Sequence, residues 1–255
     1  MARDLGVYHA RTRTRGVNPY VYWPTRAVLQ PLMMLLFWLG RTGREHIPTD
    51  GGVLLAPNHR SFLDPWVIGI CLRRPTYFVA KRELFENRLV GWFLNSLGAF
   101  PIRRGESDDE AMETARILLE TGNALMIFPE GTRHRTGPLG TPKRGVGRLA
   151  LQTGVPVVPI AVHGTERARK KFIVRPCKIR VRAGRPLTFP RVEDPSAHLA
   201  GEVTNRIWPC VELQYNWLLG EQMLPERMLA TVVAVLPPRA VSAEDEPPER
   251  VAAAR

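Results

Sequence analysis

Cysteine is nearly absent from this sequence, lysine is scarce, and no apolar run is long enough to cross a bilayer. The three cysteines, at 71, 177 and 210, stand far apart and form no CxxC pair. That excludes a disulfide framework and a cysteine-based zinc site, and it fits a reducing compartment. Six scattered histidines with no HExxH offer no ligand pair at metal spacing, so no structural metal is expected. Acidic charge is also in deficit. Asp and Glu total 24 against 36 Lys and Arg, a net charge of +12, and only five of the 36 are Lys. Such a chain seeks phosphorylated substrates, an anionic membrane face or nucleic acid. The 31 arginines favour bidentate phosphate contacts, although genomic base composition alone gives the same excess. A specific nucleic-acid partner is not expected, because no recognisable module is present and the basic residues are not interleaved with aromatics on one element.

The most apolar stretch is residues 27–39, AVLQPLMMLLFWL. A membrane span needs roughly 20 residues, and Gln30 and Pro31 interrupt this one. It follows a basic, aromatic stretch without visible periodicity (1–22), and Arg26, Arg41 and Arg44 flank it. Two readings stand: an interfacial, one-leaflet helix and an ordinary core helix.

Hydrophobic residues make up 44% of the 255, enough for one domain with a real core. They alternate between strand-like runs (53–56, 77–80, 124–128, 157–162 and 179–183) and helix-like segments. Asp64-Pro65 reads as N-cap and first residue of a helix continuing over 66–72. Residues 108–121 form another, opened by the capping box Ser107-x-x-Glu110 and closed by Gly122. Gly145–Thr153 ends at Gly154, and an apolar helix covers 203–219. This alternation predicts an α/β fold with a largely parallel central sheet flanked by helices, plus an N-terminal apolar membrane-associating helical segment. The expected division is a membrane-associating segment (1–44), a domain (45–220), an apolar segment (221–236) and a Pro-rich, charged, disordered tail (237–255).

The chemistry-bearing motifs follow the strand-like runs. NHRSFLD (58–64) places His59 and Asp64 five residues apart. Neither a helix nor a strand puts that spacing on one face, so the two meet only if the chain turns between them. If they meet, Asp64 holds one ring nitrogen as N–H and leaves the other as a base. The alternative is a helix-capping Asp beside an unrelated loop His. FPEGTR (128–133) is a turn by chemistry, in which amides near Gly131, together with Arg133, can hold an anion. There Glu130 can orient Arg133 or bind a hydroxyl, or the two simply form a local ion pair. Lys143-Arg144-Gly145 precedes a helix N-terminus, another place for an anion or else a solvated loop. If the four preceding strands are parallel, all of these segments line one sheet edge, where open α/β sheets bind ligands.

N58-H59-x4-D64, the arginines of GAFPIRR (98–104), FPEGTR and VPVVPIAV (155–162) occur in that order. Over roughly residues 45–185 this resembles the glycerolipid acyltransferases typified by bacterial 1-acylglycerol-3-phosphate acyltransferases. The resemblance implies transfer of an acyl group from a thioester, acyl-CoA or acyl-ACP as cosubstrate with no other cofactor, to a lysophospholipid hydroxyl. It implies His59 as base and Asp64 as its orienting partner. Arg104, Glu130, Gly131, Thr132, Arg133 and Lys143 become the substrate-binding candidates. The expected partners are the lysophospholipid acceptor, the thioester donor and an anionic membrane surface, at the cytoplasmic face of the cell membrane.

Overall fold

The computed structural model describes residues 5–103, 108–170 and 173–220. The chain divides into two compact units, Met1–Met223 and Leu224–Arg255. The second lies outside the described residues, and with it the expectations for 221–236 and 237–255. In chain order the elements are α1 (Gly6–Arg15), α2 (Pro19–Phe37), β1 (Gly40–Thr42), β2 (Val53–Pro57), α3 (Asp64–Cys71), β3 (Thr76–Lys81), α4 (Arg88–Ser96), β4 (Ala99–Ile102), α5 (Asp109–Glu120), β5 (Ala124–Met126), α6 (Gly145–Thr153), β6 (Val157–His163), β7 (Arg169–Lys170), β8 (Ile173–Val174), β9 (Arg180–Ala183) and α7 (Ala197–Leu219).

Seven strands form one sheet in the order β1-β9-β6-β2-β5-β3-β4, while β7 and β8 pair separately. Every neighbouring pair in the large sheet is parallel except β6 with β9. The central strands read as continuous apolar runs because both faces are covered. In β2, Val53 and Leu55 enter one core with α3 and parts of α2 and α4, and Leu54 and Ala56 enter the other with α5, α6 and α7. The shared direction of β2, β3, β5 and β6 carries their carboxyl ends, and the motifs that follow them, to one edge.

Three local expectations are corrected. Residues 1–22 show no visible period in the sequence, yet α1 is a helix, with Tyr8, His9 and Thr12 buried. The His9 ring packs edge-on to Phe100, and its Nδ1 lies 3.0 Å from Thr114 Oγ1. Such contacts span the sequence, which is why no local period announced them. Second, Asp108 rather than Ser107 caps α5, accepting from the Ala111 amide at 3.1 Å. Its other oxygen takes the Arg103 amide at 2.7 Å and so ties the helix to the end of β4. Ser107 lies outside the described residues. Third, Leu63, not Asp64, is the N-cap of α3. The first 44 residues contribute α1, α2 and β1, and β1 extends the sheet through β9. No helix among the described residues is long and apolar enough to cross a membrane.

Packing between α6 and α7 depends on Gly147, whose amide donates to Thr204 Oγ1 at 3.1 Å. A Cβ there would overlap the Ala200 carbonyl and sit 2.6 Å from Thr204 Oγ1. Gly147→Ala is expected to destabilise the fold by ~1–3 kcal/mol. Gly69→Ala, in α3 with nothing within 4 Å of the new Cβ, is expected to stabilise by up to ~1 kcal/mol. Urea midpoints of the two variants check the contrast.

Candidate active site

His59 leaves the end of β2 one residue after Asn58, which pins the loop to β6. The Asn58 side chain donates to Val162 O at 3.1 Å and accepts from Val162 N at 2.8 Å. The chain then turns back, and His59 Nδ1 meets Asp64 Oδ2 at 2.8 Å with both side chains buried. The same oxygen accepts the Arg60 and Ser61 amides at 2.6 and 2.7 Å. Thr165 Oγ1, just beyond β6, donates to Asp64 Oδ1 at 2.5 Å. The carboxylate faces the loop rather than the free amides of α3, which is why Asp64 does not cap that helix. A carboxylate accepts only, so Nδ1 carries the proton and Nε2 is left as the base. Nε2 has no hydrogen-bond partner among the described residues, and the ring stacks on Phe128 with centroids 4.0 Å apart.

The segment after β5 clamps His59 from its other side. Glu130 Oε1 accepts the His59 amide at 2.6 Å, and Oε2 accepts the Gly140 amide at 2.8 Å. The His134 amide donates to His59 O at 2.9 Å. Glu130 is therefore corrected from a substrate ligand to a positioning group: it is buried and both oxygens serve backbone amides. Arg60 completes the clamp. Its guanidinium donates to His134 O, Gly137 O and Tyr215 OH, each at 2.8 Å, and lies 4.9 Å over the Tyr215 ring. Gly131 has φ +68°, open to glycine at little strain, and a Cβ there would come within 3.1 Å of the Lys143 chain. The Gly131 amide donates to Phe128 O at 3.1 Å, so it closes the turn instead of waiting for an anion.

His59 opens on a cavity of about 590 Å³. Val79, Ile102, Ala111, Met112, Ala115 and Val146 make an apolar wall, and Arg103, Lys143, Arg144 and Arg148 make a basic rim. Of the sequence candidates, His59, Gly131 and Lys143 line it, with Asp64 behind His59. Thr132 and Arg133 are exposed and lie outside the lining. The Arg133 residue is exposed overall, but its guanidinium is partly covered, and that desolvation lowers its pKa; neighbouring Arg135 adds to this, and the charge of Asp64 opposes them. Arg104 lies outside the described residues, and Arg103 beside it takes a place on the rim.

A family profile described as Acyltransferase matches residues 40–163. The chain is 33% identical over 146 residues to the 1-acyl-sn-glycerol-3-phosphate acyltransferase of Bacillus subtilis, covering 56% of this chain and 71% of that one. This chain belongs to the acyltransferase family. It is also 35% identical over 126 residues to a chloroplastic 1-acyl-sn-glycerol-3-phosphate acyltransferase of Brassica napus, covering 48% of this chain. That match spans only 36% of the plant protein's length. The crystal structure of the 1-acyl-sn-glycerophosphate acyltransferase from Thermotoga maritima shares the fold, with a TM-score of 0.54 and 23% identity, over 82% of this chain and 93% of that one.

Sequence reasoning missed Arg103, Arg144 and Arg148 as a group, and it missed Thr165, Arg60 and Phe128 as partners of the pair. Arg144 and Arg148 are one helical turn apart and were findable by that spacing. Thr165 is 101 residues from Asp64, and no local pattern marks it. Thr165→Val is expected to destabilise the fold by ~1–3 kcal/mol, the usual worth of a hydrogen bond to a charged group, and to slow turnover. Thr165→Ser should restore both. Urea unfolding and turnover of the two variants measure this.

Proposed function

We propose that the protein moves a fatty acyl group from a thioester, acyl-CoA or acyl-ACP, to the free hydroxyl of 1-acylglycerol-3-phosphate, giving phosphatidic acid. The observation that carries this reading is the Asp64-held His59, with a free Nε2 opening on a cavity that is apolar on one wall and basic at its rim. The cavity falls within the range of small-molecule sites, about 300–1,000 Å³. The names of the relatives support the choice of acceptor.

The geometry divides the labour. Nε2 takes the proton of the acceptor hydroxyl as its oxygen attacks the thioester carbonyl. Asp64 keeps the ring in the required tautomer and stabilises the imidazolium that forms. Collapse of the tetrahedral intermediate breaks the C–S bond and expels the thiolate, which recovers the proton from the imidazolium. No acyl-enzyme is needed, because the thioester is already activated. Arg103, Lys143 and Arg144 hold the acceptor phosphate, two of them with bidentate geometry available. The acyl chain lies against the apolar wall.

The membrane reading of residues 27–39 extends to α2 as a whole. Met33 and Phe37 face the core, while Tyr20, Trp23, Val28, Leu32 and Leu35 point to solvent. We take this outward face as a one-leaflet anchor at the cytoplasmic side of the membrane, where acyl thioesters are made. Deleting α1 and α2 would uncover core residues, so the anchor is better tested by Leu32→Glu with Leu35→Glu, which should release the protein from vesicles.

The decisive experiment is purified protein with labelled acyl-CoA or acyl-ACP and a panel of lysophospholipid and glycolipid acceptors, read by product mass. His59→Ala should lose at least about two orders of magnitude in turnover, the usual worth of a general base, and Asp64→Asn should be severely impaired. A folded His59→Ala protein with near-normal turnover sinks the mechanism. Product from another acceptor alone redirects the substrate assignment.

A further inference from the structure

We infer that α4, together with the turn before it and Phe62 of the His59–Asp64 loop, forms a second surface of this protein for an anionic lipid bilayer. The inference rests on the membrane reading of α2 and widens it from one helix to a whole layer of the fold.

The exposed large apolar residues are unevenly placed. Over the layer built from α5, α6 and α7 they are few: Leu199, Trp217 and Leu219. The opposite layer carries those of α2, then Phe62 before α3, Leu84 in the turn Arg82–Phe85, and four residues on α4. The four are Leu89, Val90, Trp92 and Phe93, and Leu89 is 78% exposed. At 100° per residue they sweep an arc of about 160° on the outward side of the helix. The inward side holds Gly91, Leu94 and Asn95, all buried. A nine-residue helix that turns most of its large apolar side chains outward, with Gly91, Leu94 and Asn95 inward, has no ordinary place on a water-facing surface.

Three observations favour a bilayer as the occupant. The first is proximity: α2 and α4 touch, the start of α2 meeting the end of α4 through the Asn18 amide and Ser96 O. Second, the patch is rich in Trp, Tyr and Phe, the side chains that settle at a membrane–water interface. Charge is the third: Lys81, Arg82 and Arg88 outnumber Glu83 and Glu86 at the N-terminal end of α4 by one, and the chain carries +12. Position gives the patch a use. The N-terminal end of α4 and Phe62 both lie at the sheet edge where β2 and β3 deliver their loops, the edge that holds His59. A bilayer resting on α2 and α4 thus lies at the sheet edge that carries His59, while the cavity itself is walled by α5 and α6 of the other layer.

The test uses the full-length protein and vesicles containing phosphatidylglycerol. Hydrogen exchange of residues 84–93 in the unmodified protein should slow when vesicles are added. The variant Leu89→Glu with Trp92→Glu should lose about tenfold or more in vesicle partitioning, as expected from the apolar area withdrawn from lipid. Its urea midpoint and its turnover of short-chain substrate dispersed in detergent should stay near those of the parent. Unchanged exchange at 84–93, or unchanged partitioning of the variant, overturns the proposal. So does a lipid-free dimer that the double substitution dissociates, because a second copy then covers the face. Vesicle binding through α4 by a protein that transfers no acyl group overturns the enzymatic reading and leaves this surface standing.

Discussion

A carboxylate removed from water must be met by donors on several sides, and at Asp64 they arrive from four groups. Three are N–H groups of the loop that precedes it, and the fourth is the Thr165 hydroxyl. The charge is solvated by the fold itself, and no arginine or lysine is bonded to it among the described residues. This arrangement bends 59–64 into a closed loop, aims the His59 ring at the cavity and sets its tautomer. Burial makes the pair expensive to leave unsatisfied, which is why each of its polar contacts is met on the side away from the cavity.

Much of the fold serves to hold that loop. Parallel pairing of β2 with β5 and β6 delivers Asn58, the 128–134 segment and Thr165 to one edge. Asn58 ties the loop to β6, Glu130 and His134 hold the His59 backbone from the β5 side, and Arg60 extends the contact to α7. Arg60 is itself buried and has no carboxylate partner among the described residues; its terminal nitrogens meet two carbonyls, a hydroxyl and an aromatic face, and its Nε has no partner there. Two buried charges of opposite sign thus follow His59 within five residues, and their partners are neutral dipoles rather than counter-ions. Such sites are organised before substrate arrives, so little reorganisation accompanies charge development.

The strands and the motif loops were legible because both signals are local. An apolar run with both faces covered announces a buried parallel strand, as in β2 and β6, and Gly and Pro punctuate the turns that follow. Asp64 shows the limit. Asp-Pro before an apolar run has the chemistry of a helix cap, and only contacts with Thr165 and the loop amides reveal that the carboxylate turns the other way. Glu130 was misread for the same reason: a turn glutamate looks available until the Gly140 amide is brought to it. Helix α1, and the meeting of Arg103 with the Lys143–Arg148 segment on one rim, are likewise products of tertiary pairing, which sequence order does not display.

The account stands on which nitrogen of His59 carries the proton. Nitrogen-15 NMR of histidine-labelled protein reads it directly, with the His59 signals assigned by their loss in His59→Ala. At neutral pH the account predicts a protonated Nδ1 and an unprotonated Nε2, with Asp64→Asn disturbing that state. A proton resident on Nε2, or a ring averaging between tautomers as free imidazole does, would contradict it.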